Sequence, residues 1–158
     1  MFRNLQRKKQ QLTREECIEL LKSETRGVLC VIGDGGYPYG TPMNHYYCED
    51  DNKIYFHCGK TGHRLDSIRE NSKVSFTLMD KGTKSEGDWA LQVRSVIVFG
   101  TAEIVCDRER VIDITRRLSY KFTNDSEYIE NELKAFCNNT LLIALTPQNI
   151  CGKLVKEA

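Results

Sequence analysis

The apolar positions of this chain change period repeatedly, and each change marks an element. Leu12-Thr13-Arg14-Glu15-Glu16 reads as a helix start: Thr13 can cap, Glu16 completes a capping box three residues on, and Leu12 can staple onto Cys17. Ile18, Leu20 and Leu21 carry the helix to about Ser23. Arg26 to Ile32 is an apolar β run closed by Gly33-Asp34-Gly35-Gly36, whose glycines permit the positive φ angles of a tight hairpin. The partner strand runs from about Tyr37 to Cys48. Pro38 and Pro42 remove two of its ladder donors, so its first half is irregular, bulged or at an edge, with backbone groups free for a ligand.

Glu49 to Asn52 is a polar turn into a third strand, Lys53 to Cys58, followed by a short helix marked by Leu65 and Ile68. Lys73 to Met79 alternates Val74, Phe76 and Leu78 against Ser75 and Thr77, a strand with one face in the core. After a Gly- and charge-rich loop from Lys81 to Asp88 comes a long β segment, Trp89 to Val105, kinked at Gly100. Asp107 caps a helix to about Tyr120, and Ser126 caps another to about Phe136. Leu141 to Leu145 is a final strand stopped by Pro147, with a loosely held tail beyond it. Six short, mostly hairpin-connected strands with inserted helices predict a mainly β, α+β fold: a closed or nearly closed antiparallel barrel whose ends the helices cover, formed by residues 1–158 as one domain.

The chemistry concentrates where the third strand ends. Ile54-Tyr55-Phe56-His57-Cys58-Gly59-Lys60-Thr61-Gly62-His63-Arg64 runs from an apolar strand into glycines and three basic side chains at a helix start. The first N–H groups of a helix have no intrahelical partner and carry the positive end of its dipole, so this corner suits an anion. Lys60, His63 and Arg64 add charge and directed hydrogen bonds at the same mouth.

Composition narrows the field. The 158 residues carry a net charge of +1 with both signs interspersed, so no basic field is available to hold a nucleic acid. The basic stretch from Arg3 to Lys9 is short and reads as a frayed N-terminal arm. There is no run of about 18 apolar residues and no signal-like segment, which places the protein in the cytoplasm and away from the membrane. The seven cysteines are scattered and include no C-x-x-C pair, the pattern of reduced, mostly buried thiols.

The order of elements, with Thr41-Pro42-Met43-Asn44, Ile54 to Arg64, Arg69-Glu70-Asn71 and Ser95 to Gly100, resembles the FMN-binding split-barrel proteins of the pyridoxamine 5'-phosphate oxidase-like superfamily. Within it the likeness is to the nitroimidazole-resistance (Nim) group. The resemblance implies a six-stranded antiparallel split β-barrel with flanking helices, and a homodimer with flavin sites at the interface. It implies phosphate binding at His57, Cys58, Gly62, His63 and Arg64, with Lys60 beside them, the flavin ring along Pro42, Met43, Asn44 and His45, and a contribution from the partner near Ser95 and Val96. His63 stands where many members carry a fixed cation, so phosphate affinity should weaken as pH rises past about 6.5. The tail lacks the Arg-x-His-like segment of true pyridoxamine phosphate oxidases, which argues against vitamin B6 oxidation.

Other readings compete. Gly59-Lys60-Thr61 is no nucleotide-triphosphate loop, because Ile54 stands where that pattern needs glycine. His45, Cys48, His57, Cys58 and His63 could suggest zinc, but consecutive strand residues point to opposite faces. Haem remains open, with His45 or His57 as iron ligand, and a deazaflavin could replace FMN. A bound flavin supplies the redox chemistry, so no catalytic side chain need be encoded; His45 is the one proton-donor candidate. The expected activity is reduction of a small-molecule acceptor such as a nitroaromatic, with reduced nicotinamide or a carrier protein as donor. The alternative is a flavin- or haem-binding module without turnover, acting as sensor, store or electron carrier, or a barrel with an empty pocket.

Overall fold

A computed structural model describes residues 2–157. Its first helix, α1 (Arg14–Ser23), begins with the anticipated capping box: Glu16 N–H donates to Thr13 Oγ1 at 3.2 Å and Thr13 N–H to the Glu16 carboxylate at 2.7 Å. Leu12 and Cys17 are both buried beside it. Strands β1 (Arg26–Ile32) and β2 (Pro38–Asn44) form a hairpin around a tight turn in which Gly35 and Gly36 take φ of 64° and 79°. Then follow β3 (Tyr46–Cys48), β4 (Lys53–Cys58), α2 (His63–Glu70), β5 (Lys73–Met79), β6 (Leu91–Val105), α3 (Arg108–Ser119), α4 (Ser126–Phe136) and β7 (Leu141–Glu157).

The seven strands form one antiparallel sheet in the order β2-β1-β5-β6-β7-β4-β3. Its two edges, β2 and β3, are consecutive in the chain with His45 alone between them. Successive Cα atoms lie about 3.8 Å apart, so Asn44 and Tyr46 are within roughly 8 Å and the sheet must curl until its edges meet. The result is a split barrel: closed at His45, open along the rest of β2 and β4, which share no ladder.

Seven strands replace the expected six because the segment from Tyr37 to Cys48 breaks at His45, each half serving a different edge. The final strand does not stop at Pro147. Phe99 pairs with Asn149 and Gly100 with Pro147, leaving Gln148 as the extra residue of a bulge, a place where a residue without N–H is tolerated. Beyond it the tail pairs along β6 as far as Glu157. The N-terminal arm is docked too: Leu12 N–H donates to Gly152 O at 3.0 Å, and the Phe2 ring stacks on Phe99 at 5.5 Å. Asp125, not Ser126, caps α4 by accepting the Tyr128 N–H at 2.9 Å.

The main core fills the barrel with Leu29, Phe56, Phe76, Val96, Ile143 and Leu145. A second cluster, including Tyr55, Val111, Ile114 and Leu142, lies between α3 and the outer face of β4 and β7. Both faces of those strands are therefore covered, which explains the uninterrupted apolar runs Ile54-Tyr55-Phe56 and Leu142 to Leu145. The outer face of β1, β5 and β6 has no such cover and exposes Val28, Ile32, Met79, Ile97 and Phe99.

A Cβ at Gly100 would lie 2.1 Å from the Thr146 carbonyl oxygen, whereas one at Gly59 meets nothing within 4 Å. Gly100→Ala should therefore cost about 3 kcal/mol or more in urea unfolding, and Gly59→Ala within about 0.5 kcal/mol. Equal midpoints for the two variants would show that the bulge does not require the close approach.

Candidate functional site

The open seam between β2 and β4 holds a cavity of about 270 Å³ lined by Arg26, Pro42, Met43, Asn44, His57 and Arg64. Each residue is placed by its element. Arg26 begins β1 and donates from Nε to Asn44 Oδ1 at 3.1 Å, fixing the end of β2. Pro42 and Met43 lie on an edge strand whose second side meets no ladder. His57 faces outward from β4, and Arg64 lies in the first turn of α2. Arg64 Nη1 donates to Thr41 Oγ1 at 2.8 Å, but its Nε is buried without a partner. A buried, unpaired N–H of a guanidinium is costly unless something accepts it.

The start of α2 brings Arg64 to the cavity. Its N-cap is Gly62 at φ 134°, a conformation that favours glycine, with no side chain to satisfy the first amides. The amides of Leu65 and Asp66 both return to Gly62 O, at 2.9 and 3.2 Å. The preceding N–H groups have no intrahelical acceptor. Helices α1, α3 and α4 are by contrast each capped by a side chain, from Thr13, Asp107 and Asp125. Among the described residues no carboxylate lines the cavity, where the two arginines meet, although α2 carries Asp66 in its first turn. The donor set fits an anionic group such as a phosphate ester.

Pro42, Met43, Asn44, His57 and Arg64 are thus brought together at one cavity, while the remaining candidates are placed otherwise. Lys60, Gly62 and His63 are exposed, in and just after the β4–α2 turn, and none of them lines the cavity. The His63 ring stacks on Tyr39 at 4.4 Å, and its Nε2 lies 3.4 Å from both the Asp34 amide nitrogen and an Asp34 carboxylate oxygen. When neutral it accepts the amide hydrogen; when protonated it donates to the carboxylate. Cys58 turns inward, its thiol donating toward Leu141 O at 3.6 Å, and burial raises its pKa. Val96 is fully buried in the barrel core, and Ser95 is half-buried on the opposite face of β6. Neither lines this cavity.

His45 is a correction. It is completely buried, its ring against Phe76 at 4.9 Å, with Nε2 donating to Leu21 O at 2.7 Å and Nδ1 unpartnered. Burial, reinforced by the nearby Lys121 ammonium, pushes its pKa down to about 3. It is a structural clasp, unavailable as a proton donor at a surface pocket or as an iron ligand. His57 keeps an open face; burial of part of its ring and then the Arg64 charge lower its pKa, so it is neutral at pH 7. Arg26 and Thr41 were missed by sequence reasoning. Arg26 begins an apolar strand opposite Asn44 in the hairpin register, which was the available signal.

A family model described as pyridoxamine 5'-phosphate oxidase matches residues 13–154, and the chain belongs to that family of flavin-binding split barrels. No curated protein sequence matches it significantly. Solved structures with the same fold include a conserved hypothetical protein of Mycobacterium tuberculosis, at TM-score 0.80 and 20% identity over 95% of this chain and 90% of that one. A candidate 5-nitroimidazole antibiotic resistance protein of Bacteroides thetaiotaomicron matches at TM-score 0.75 and 18% identity, covering 93% of this chain and 87% of that one. An FAD and haem binding protein of Mycobacterium smegmatis matches at TM-score 0.72 and 20% identity, covering 92% and 73%. At these identities the likeness is one of fold. Among the described residues no helix is long and apolar enough to cross a membrane.

The buried clasp has a pH signature. Unfolded His45 binds its proton near pH 6.5 and the folded residue only near 3, so its contribution is complete above pH 6.5 and is lost as pH falls toward 3. At pH 4 the loss is about 3 kcal/mol. His45→Gln keeps an N–H donor toward Leu21 O and should flatten the fall in urea midpoint between pH 7 and 4. A variant with the wild-type slope would show that other groups set the acid limit.

Proposed function

We propose that the protein binds FMN in the seam between β2 and β4 and reduces small molecules with it, nitroaromatic compounds being the acceptor class suggested. The observation that carries this reading is the buried, unpartnered Arg64 Nε on the cavity wall, in the first turn of a helix that no side chain caps. Arg64 and the first amides of α2 would hold the phosphate. Pro42, Met43, Asn44 and His57 would line the ring end of the ligand, with Asn44 kept in place by Arg26. When bound, the flavin supplies the electron transfer itself. This chain's part is to bind and orient: His57 offers one N–H donor and one acceptor without charge at pH 7, and the edge of β2 presents backbone groups. Reduced nicotinamide or a carrier protein is the expected donor of electrons.

A homodimer belongs to the same proposal. The outer sheet face carrying Val28, Ile32, Met79, Ile97 and, beneath Phe2, Phe99 exposes several large apolar side chains that a second copy would cover. Ser95 stands on that side of β6 and would approach the partner's site. The fold relative named as binding both FAD and haem, together with the open imidazole of His57, supports a second reading in which the protein carries a prosthetic group without turning over. The two readings part on mixing the loaded protein with reduced nicotinamide and a nitroimidazole: sustained substrate loss belongs to the reductase, a stable spectrum to the carrier.

Arg64→Ala should weaken FMN binding by about 1.5–3 kcal/mol, or roughly 10- to 150-fold in Kd by fluorescence quenching titration. Unchanged affinity would place the phosphate elsewhere. Light scattering should give twice the 18.2 kDa chain mass, and a monomer would remove the shared-site arrangement.

A further inference from the structure

Beside the seam lies a second, larger cavity of about 350 Å³, between helices α3 and α4 and the barrel. It is lined by Leu118, Phe122, Tyr128, Ile129, Leu133 and Phe136, and it shares Asn44 and His57 with the proposed FMN cavity. We infer that this cavity is the binding site for the second substrate, an uncharged, flat, largely apolar molecule of about two fused aromatic rings. The inference rests on the FMN reading for the guest's purpose, but not for its recognition.

Three observations define the guest. Phe122, Tyr128 and Phe136 keep 48%, 57% and 60% of their surface exposed around this one opening, although large aromatic side chains are normally far more buried. Three aromatic walls on one cavity of ligand-binding size suit a flat ring system. The second observation is Thr115, whose hydroxyl is buried without a partner in the same wall and can hydrogen-bond a carbonyl or nitro oxygen. The third is charge: among the described residues Glu132 is the one carboxylate of the lining and no lysine or arginine contributes, so an anionic guest is repelled. The two cavities therefore have opposite selectivity, cationic in the seam and neutral to acidic under the helices. Asn44 and His57 stand at their junction, where a guest in one cavity adjoins a ligand in the other.

The test uses the 158-residue protein, with and without FMN, and two probes of similar shape: menadione, which is neutral, and 1,4-naphthoquinone-2-sulfonate, which is anionic. Amide shifts in ¹⁵N spectra should move saturably across residues 115–140 with menadione in both forms of the protein. The sulfonate should bind about ten-fold more weakly, and Glu132→Gln should narrow that gap. The double variant Phe122→Ala/Phe136→Ala, whose residues are exposed enough to leave the fold intact, should weaken menadione about five-fold or more while FMN affinity stays within about two-fold. Menadione shifts confined to the outer face of β1, β5 and β6, equal affinity for both probes, or an unaffected double variant would each overturn the assignment. Menadione binding at α3 and α4 in a protein that takes no FMN would uphold the cavity and reject the flavin reading.

Discussion

Because one residue, His45, links the two edge strands of a seven-stranded sheet, the sheet is obliged to roll into a barrel. The backbone at this point is held from three sides. His45 N–H donates to Thr25 O at 3.3 Å, its ring Nε2 donates to Leu21 O at 2.7 Å, and Lys121 Nζ donates to His45 O at 3.2 Å and to Glu24 O at 2.6 Å. Helix α1, the β2–β3 corner and the end of α3 are thereby tied together. Lys121 is itself affected: burial lowers its pKa to about 8. Two polar side chains are thus spent on closing the barrel, one held neutral and the other held against backbone carbonyls.

Closure at one corner leaves the remainder of the seam unpaired, and the candidate site follows from that. The outer edge of β2 has no strand beside it, and β4 ends in a turn that feeds the uncapped α2. Arg64 therefore brings an unpaired donor to the seam, while among the described residues no carboxylate lines it. An anionic guest satisfies that donor at little reorganisation cost, since the arginine is already fixed by Thr41 and the helix by the barrel.

Local chemistry was legible in the sequence, and long-range placement was not. The capping box of α1, the glycine hairpin, the alternation in β5 and the basic helix start at Gly62 all depend on residues within a few positions of one another. The break at His45 depends on which strands neighbour each half of the segment, and a period of two carries no such information. Pro147 stops a strand only where its partner needs an N–H, and the bulge opposite Gly100 removes that need. Cys58 was counted as a ligand although its neighbour His57 faces out, so the alternation already turned the thiol inward. Val96 was chosen by resemblance, yet with Val98 it lines the barrel interior, while Ile97 and Phe99 point out.

A crystal structure of the protein grown with FMN tests the account most directly. The phosphate should lie within about 3 Å of the Arg64 Nε and of the His63 and Arg64 amides. A phosphate bound anywhere else, with those three N–H groups engaged by the protein itself, would contradict it.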